Sequence, residues 1–240
     1  MTKEIVIDKI PEDFMYKKLG NGKSCSGECY QTKDGRVFKK YKFPITYYKC
    51  LRDISNYYKC NHLVLPEEFY FLKNLSEENL IGYIRQLVTG NTFSNLPDNI
   101  QMIKFIKALE FLEREMVVNS SKGLFYVDMN QENMFYTPND EIKVIDQDLY
   151  EIIFSHPYIR PVPDSMKDLA CTIISVFFTP QKFTDERIYD KIRKCGAHVG
   201  GILRPSQLLE ETSELLETEC DTSIITLGDF RKGIELIREK

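Results

Sequence analysis

Residues 123 to 148, GLFYVDMNQENMFYTPNDEIKVIDQD, constrain this chain more than any other stretch. An Asp, an Asn five residues later and an Asp ending a strand-like run fall in one short segment. Asp128, Asn133 and Asp146 carry hard oxygen donors. In phosphoryl-transfer sites Mg2+ typically takes one or two such carboxylates and completes its octahedron with phosphate oxygens and water. An Asp-x4-Asn pair means little by itself, because 15 Asp and 12 Asn in 240 residues generate about 0.75 such pairs by chance. The elements around the pair have to carry the assignment.

With 42% hydrophobic residues over 240 positions, the chain can close a sizeable core as one domain or two small lobes. A formal charge of -4 and a pI near 5.6 leave no general electrostatic footprint for nucleic acid or anionic lipid. Seven cysteines without a Cys-x-x-Cys pair suit thiols in a reducing compartment, which points to the cytosol. The N-terminus shows no apolar leader core, and the longest apolar run, LACTIISVFF at 169 to 178, is too short to span a bilayer. No membrane span is expected, and no His/Cys cluster sits at zinc-ligand spacing.

The N-terminal third predicts strands around one helix. Segments 12 to 19 and 28 to 31 flank a loop punctuated by Gly20, Gly22 and Gly27, where backbone N–H groups can approach a phosphate without a Cβ in the way. RVFKKYK follows the Asp34-Gly35 turn signal, and strand alternation puts Val37 and Lys39 on one face and Phe38 and Lys40 on the other. The spacing of Tyr47, Leu51, Ile54 and Tyr58 predicts a helix over 45 to 60, with Asp53 its only acid. Strands follow at 67 to 72 and 80 to 88. The polar TGNTFSNLPDN then divides a first lobe, 1 to 88, from a second, 89 to 240. That second lobe is expected to be helical: a buried helix at 98 to 118 starting near a cap at Asp98, then helices at 165 to 178, 184 to 195, 205 to 218 and 228 to 239.

Glycine loop, strand lysine, helix acid, two strands, buried helix, YVDMNQEN and a KVID strand end occur in an order that resembles the protein kinase superfamily. The likeness covers residues 14 to about 178. It implies an α+β, two-lobed fold, with a small five-stranded antiparallel lobe over a helical lobe and ATP in the cleft. By that resemblance Gly20, Gly22 and Gly27 form the glycine loop, the third glycine lying two places late. Lys39 holds the α and β phosphates, with Lys40 its alternative should the register slip by one residue. Asp53 stands where the family has a helix glutamate, shorter by one C–C bond, roughly 1.5 Å. The Gln86 carbonyl and Val88 N–H read the adenine. Asp128 orients the acceptor hydroxyl, Asn133 and Asp146 hold Mg2+, and Asp168 supports the catalytic-loop backbone.

Tyr126, Val127 and Asn130 replace the family's His, Arg and Lys, and Asp-Gln-Asp replaces Asp-Phe-Gly. No Ala-Pro-Glu follows. The resemblance implies an ATP- and Mg-dependent kinase acting on protein Ser/Thr hydroxyls. One alternative is a pseudokinase that binds nucleotide or acts as a scaffold. Another is a small-molecule kinase of the aminoglycoside or choline type, in which the metal strand often ends Ile-Asp-x-Asp, as VIDQD does. Transfer of AMP in place of phosphate is a further outcome open to the same fold.

Overall fold

The computed structural model describes residues 2–20, 26–43, 48–58, 60–153, 161–178, 204–220 and 225–239. Gly22 and the helix expected at 184 to 195 lie outside them. The chain divides into two compact units, Met1–Val88 with Ile145–Tyr150, and Thr89–Val144 with Glu151–Lys240. The expected 1–88 and 89–240 division therefore differs at one place: the segment carrying Asp146 belongs to the first unit.

The first unit is a six-stranded mixed sheet. Its strands are β1 (Lys3–Ile7), β2 (Lys17–Leu19), β3 (Gly27–Gln31), β4 (Val37–Tyr41), β5 (Glu68–Leu72) and β6 (Leu80–Arg85), in the spatial order β1-β5-β6-β4-β3-β2. The expectation of five antiparallel strands is corrected by β1, which pairs parallel to β5 with Ile5 opposite Tyr70. A parallel neighbour cannot be reached through a tight hairpin, so no local turn signal announces it. Ile5 and Ile7 secure the edge by packing on Phe38, Tyr70 and Ile84.

On the opposite face Tyr41, Phe69, Phe71 and Tyr83 meet Tyr48 and Leu51 of α1 (Tyr48–Tyr57). Tyr48 meets Phe69 and Phe71 edge-on, with ring centroids 5.8 and 5.4 Å apart. This geometry brings the electropositive ring edge to a π face. Alternation along β4 sends Phe38 to one face and Tyr41 to the other. Lys39 lies on the Tyr41 side.

The second unit contains four helices among the described residues, α2 (Met102–Ser120), α3 (Pro161–Phe177), α4 (Pro205–Cys220) and α5 (Leu227–Glu239). It is not purely helical. β7 (Asn91–Thr92), β9 (Met134–Tyr136) and β10 (Ile142–Val144) form a three-stranded sheet, and β8 (Leu124–Phe125) pairs with β11 (Glu151–Ile152). α2 buries Met102, Phe105, Leu109, Leu112 and Met116 at helical spacing, which makes it the central packing element of this unit.

Asp98 does not cap α2, contrary to expectation. The N-cap position is Gln101, while the Asp98 carbonyl accepts the Gly228 N–H at 2.9 Å and its carboxylate accepts from Arg231, both on α5. The longest helix among the described residues, α2, carries Lys104, Lys107, Glu110, Glu113 and Arg114. No helix among the described residues is long and apolar enough to cross a membrane.

Candidate functional site

In the first unit the site grows from the middle of β4. Cross-strand pairing sets Lys39 between Cys29 of β3 and Tyr83 of β6, and only 2% of its side chain is exposed. An ammonium removed from water this completely needs charged partners, since desolvation alone costs several kcal/mol. Lys39 Nζ donates to Asp146 Oδ1 and, at 2.6 Å, to Asp148 Oδ2. The Tyr41 hydroxyl, two residues along the same strand face, donates to Asp148 Oδ1 at 3.2 Å. Burial pushes the lysine pKa down, but the fields of Asp148 and Asp146 outweigh it and leave the pKa raised. Burial pushes the Asp148 carboxyl up despite Lys39, with Asp146 adding to the rise.

The two aspartates differ in access. Asp148 is 6% exposed and Asp146 30%. Asp146 also holds a left-handed backbone, φ 64°, a conformation that costs a non-glycine residue about 1–3 kcal/mol.

Glycines permit the close strand spacing around Lys39. A Cβ on Gly82 would stand 2.0 Å from the Lys39 carbonyl oxygen, and one on Gly27 would stand 2.5 Å from that of Lys40. Gly27 therefore serves as the first residue of β3 packed against β4. Gly20, φ 67°, makes the turn out of β2 with open space around it.

Lys39 and Asp53, which by the resemblance would pair as strand lysine and helix acid, form no ion pair. α1 turns Tyr48, Leu51 and Ile54 to the core, and Asp53, two residues past Leu51, lies about 200° around the helix. Its carboxylate accepts from Arg52 Nε and Nη2 at 3.3 and 3.2 Å. Cys50 is the α1 side chain that reaches the 145–150 segment, its thiol donating to the Tyr150 carbonyl at 3.2 Å. Gln86 and Val88 follow β6, one exposed and the other half-buried. The Gln86 carbonyl accepts from Arg85 Nη1 at 3.0 Å.

The second unit holds the other candidates, on a loop fastened to α3. Asp128 is exposed with φ 59°, and its N–H donates to Asp168 Oδ2 at 3.1 Å. Two residues earlier, Tyr126 is fully buried, with its N–H on Ser165 Oγ at 3.0 Å and its hydroxyl accepting from Asn119 at 3.1 Å. One residue later, Met129 accepts from the Thr172 hydroxyl. Ser165, Asp168 and Thr172 lie at i, i+3 and i+7, so one face of α3 grips three consecutive parts of the loop.

Within the loop Asn130 Nδ2 donates to Asp128 Oδ1 at 2.7 Å, and Asn133 Nδ2 donates to Asp128 Oδ2 at 3.1 Å. With its nitrogen turned onto Asp128, the Asn133 amide directs its oxygen the other way. That oxygen is the donor type a hard cation requires.

No family model matches the chain, and no curated protein matches it significantly.

Among the described residues no group of three or more His, Cys, Asp or Glu side chains could hold a metal ion. A cation taken by Asp146 would depend on oxygens such as those of phosphate and water for the rest of its shell, the manner in which Mg2+ is bound together with a nucleotide. Asp148, Ser165 and Thr172 were missed in the sequence. For Asp148 the available signal was the second acid of Ile-Asp-x-Asp, and for the other two it was the Ser-x2-Asp-x3-Thr spacing along α3.

Proposed function

We propose that this chain is an ATP- and Mg2+-dependent phosphotransferase of the protein kinase-like class, with a protein Ser or Thr hydroxyl as acceptor. The observation that carries this reading is the meeting of buried Lys39 with Asp146 across 107 residues of sequence. A fold gains little from burying an ammonium with two carboxylates when apolar residues could fill the space, whereas a phosphate-handling site needs that chemistry.

In this reading Lys39 would hold nucleotide phosphates, and Asp146 and Asn133 would each be a metal-ligating residue. Mg2+ so bound would offset charge on the transferring phosphate. Asp128 accepts the proton of the acceptor hydroxyl as its oxygen bonds to the γ-phosphorus; the bond from that phosphorus to the β–γ bridging oxygen breaks, and ADP leaves with the electron pair. α3, through Asp168, Ser165 and Thr172, keeps the Asp128 loop in its left-handed turn.

A second reading, a small hydroxyl compound as acceptor, draws support from Asp148. The second acid of Ile-Asp-x-Asp is buried on Lys39, and the small-molecule kinases often end their metal strand with that pattern. Intact mass after incubation with Mg-ATP, beside D146N treated alike, tests the proposal. A phosphate-sized increase in the wild type alone is expected. Equal increases in both proteins would sink the metal assignment, and an AMP-sized increase would mean nucleotidyl transfer.

A further inference from the structure

We infer that Asp148 is the positioning residue for Lys39, doing from the 145–150 segment what a helix acid was expected to do from α1. The inference rests on the phosphotransferase reading for its functional meaning and on the geometry of the first unit for its substance. Lys39 and Asp148 are both almost wholly buried and bond at 2.6 Å. Asp148 is itself fixed by a second donor, the Tyr41 hydroxyl. Lys39 and Tyr41 alternate on one strand face, so β4 presents an ammonium and a hydroxyl to the two oxygens of one carboxylate.

The same chain segment thus supplies two acids with separate duties. Asp146, the more exposed, is reachable by a cation, and Asp148 keeps the lysine in place when Asp146 is taken. With only Asp146 available, the lysine and the metal would compete for one carboxylate. α1 adds no acid, because Asp53 is held by Arg52 and Cys50 faces the segment. In this arrangement Lys39 is positioned by the segment that carries the proposed metal ligand, and not by an acid on α1.

The experiment has two arms on the full chain. In urea unfolding without nucleotide or metal, K39M and D148N each lower the midpoint, and the double variant falls no further than the worse single variant, because both changes remove the same pair. Additive losses would overturn the inference, as would a stronger coupling of K39M to D146N than to D148N. In the second arm ATP affinity is measured in EDTA. D148N is expected to bind about tenfold more weakly than wild type, the scale of one charge-assisted hydrogen bond, and the loss should exceed that of D53A by a similar factor. An equal or larger loss in D53A would return the positioning role to α1 and refute the proposal. Should D148N fail to unfold cooperatively, Y41F removes the second donor while keeping the ring, and a several-fold loss of ATP affinity is expected. Unchanged affinity in Y41F would count against the proposal. If wild type binds no ATP either in EDTA or with Mg2+, the phosphotransferase reading falls, and the unfolding arm still decides whether Asp148 is the partner of Lys39.

Discussion

Replacing Ser206 with Ala tests how the helices of the second unit are joined. Glu113, in the middle of α2 and fully buried, receives the Ser206 N–H on Oε1 at 2.7 Å and the Ser206 hydroxyl on Oε2 at 2.6 Å. One carboxylate therefore satisfies the first turn of α4, where orphan N–H groups and the helix dipole favour negative charge. S206A keeps the backbone bond and strips the donor from Oε2. Hydrogen bonds to charged groups contribute about 1.5–3 kcal/mol, and part of that loss returns through relaxation, so the expected destabilisation is about 2 kcal/mol. For a chain of this size that corresponds to a fall of roughly 4–8 °C in Tm, or a lower urea midpoint followed by far-ultraviolet circular dichroism.

Glu113→Gln sharpens the test. A glutamine can accept the Ser206 N–H and donate to its hydroxyl oxygen, so both bonds survive while the buried charge goes. Burial, only partly offset by Ser206, holds the Glu113 carboxyl above its ordinary value of 4.5. The folded state therefore binds the proton more tightly than the unfolded state. Wild type should gain stability relative to E113Q as pH falls through the raised folded value, and the gain should level off below 4.5. Going upward, wild type loses that advantage and E113Q becomes the equal or the more stable protein at neutral pH. A difference that is flat with pH, or that grows in favour of wild type above neutrality, would refute the reasoning, as would an S206A loss under about 0.5 kcal/mol.

Other expectations follow from the phosphotransferase reading of the site and from its packing. Asp168→Ala and Thr172→Val each remove one clamp on the Asp128 loop; turnover should fall about tenfold or more with ATP affinity within about twofold, as measured by steady-state kinetics beside nucleotide titration. Asp128→Asn should lower turnover by roughly 10²- to 10⁴-fold while preserving nucleotide binding, and undiminished turnover would remove Asp128 from its assigned role. Gly82→Ala should cost about 3 kcal/mol or more in denaturant unfolding, because its Cβ would lie 2.0 Å from the Lys39 carbonyl oxygen and strands β4 and β6 would have to separate.

What the sequence determined by itself was whatever repeats over a few residues. Alternation placed Lys39 and Phe38 on opposite faces of β4, and apolar spacing marked α1 and α2 apart from their ends. The Asp128–Asn133 loop was visible because Asp128, Asn130 and Asn133, which bond to one another, lie within six residues. Only the tertiary structure decided which acid Lys39 meets. Asp53 lay closer in sequence, yet helix geometry turned it toward Arg52, while Asp148 arrived from 109 residues away. The same holds for β1, whose parallel partner begins 65 residues later, and for Gly27, whose need for a missing side chain comes from a backbone oxygen on β4. Period and propensity are set by near neighbours along the chain; the partner of a buried charge is set by which segments the packed core brings together.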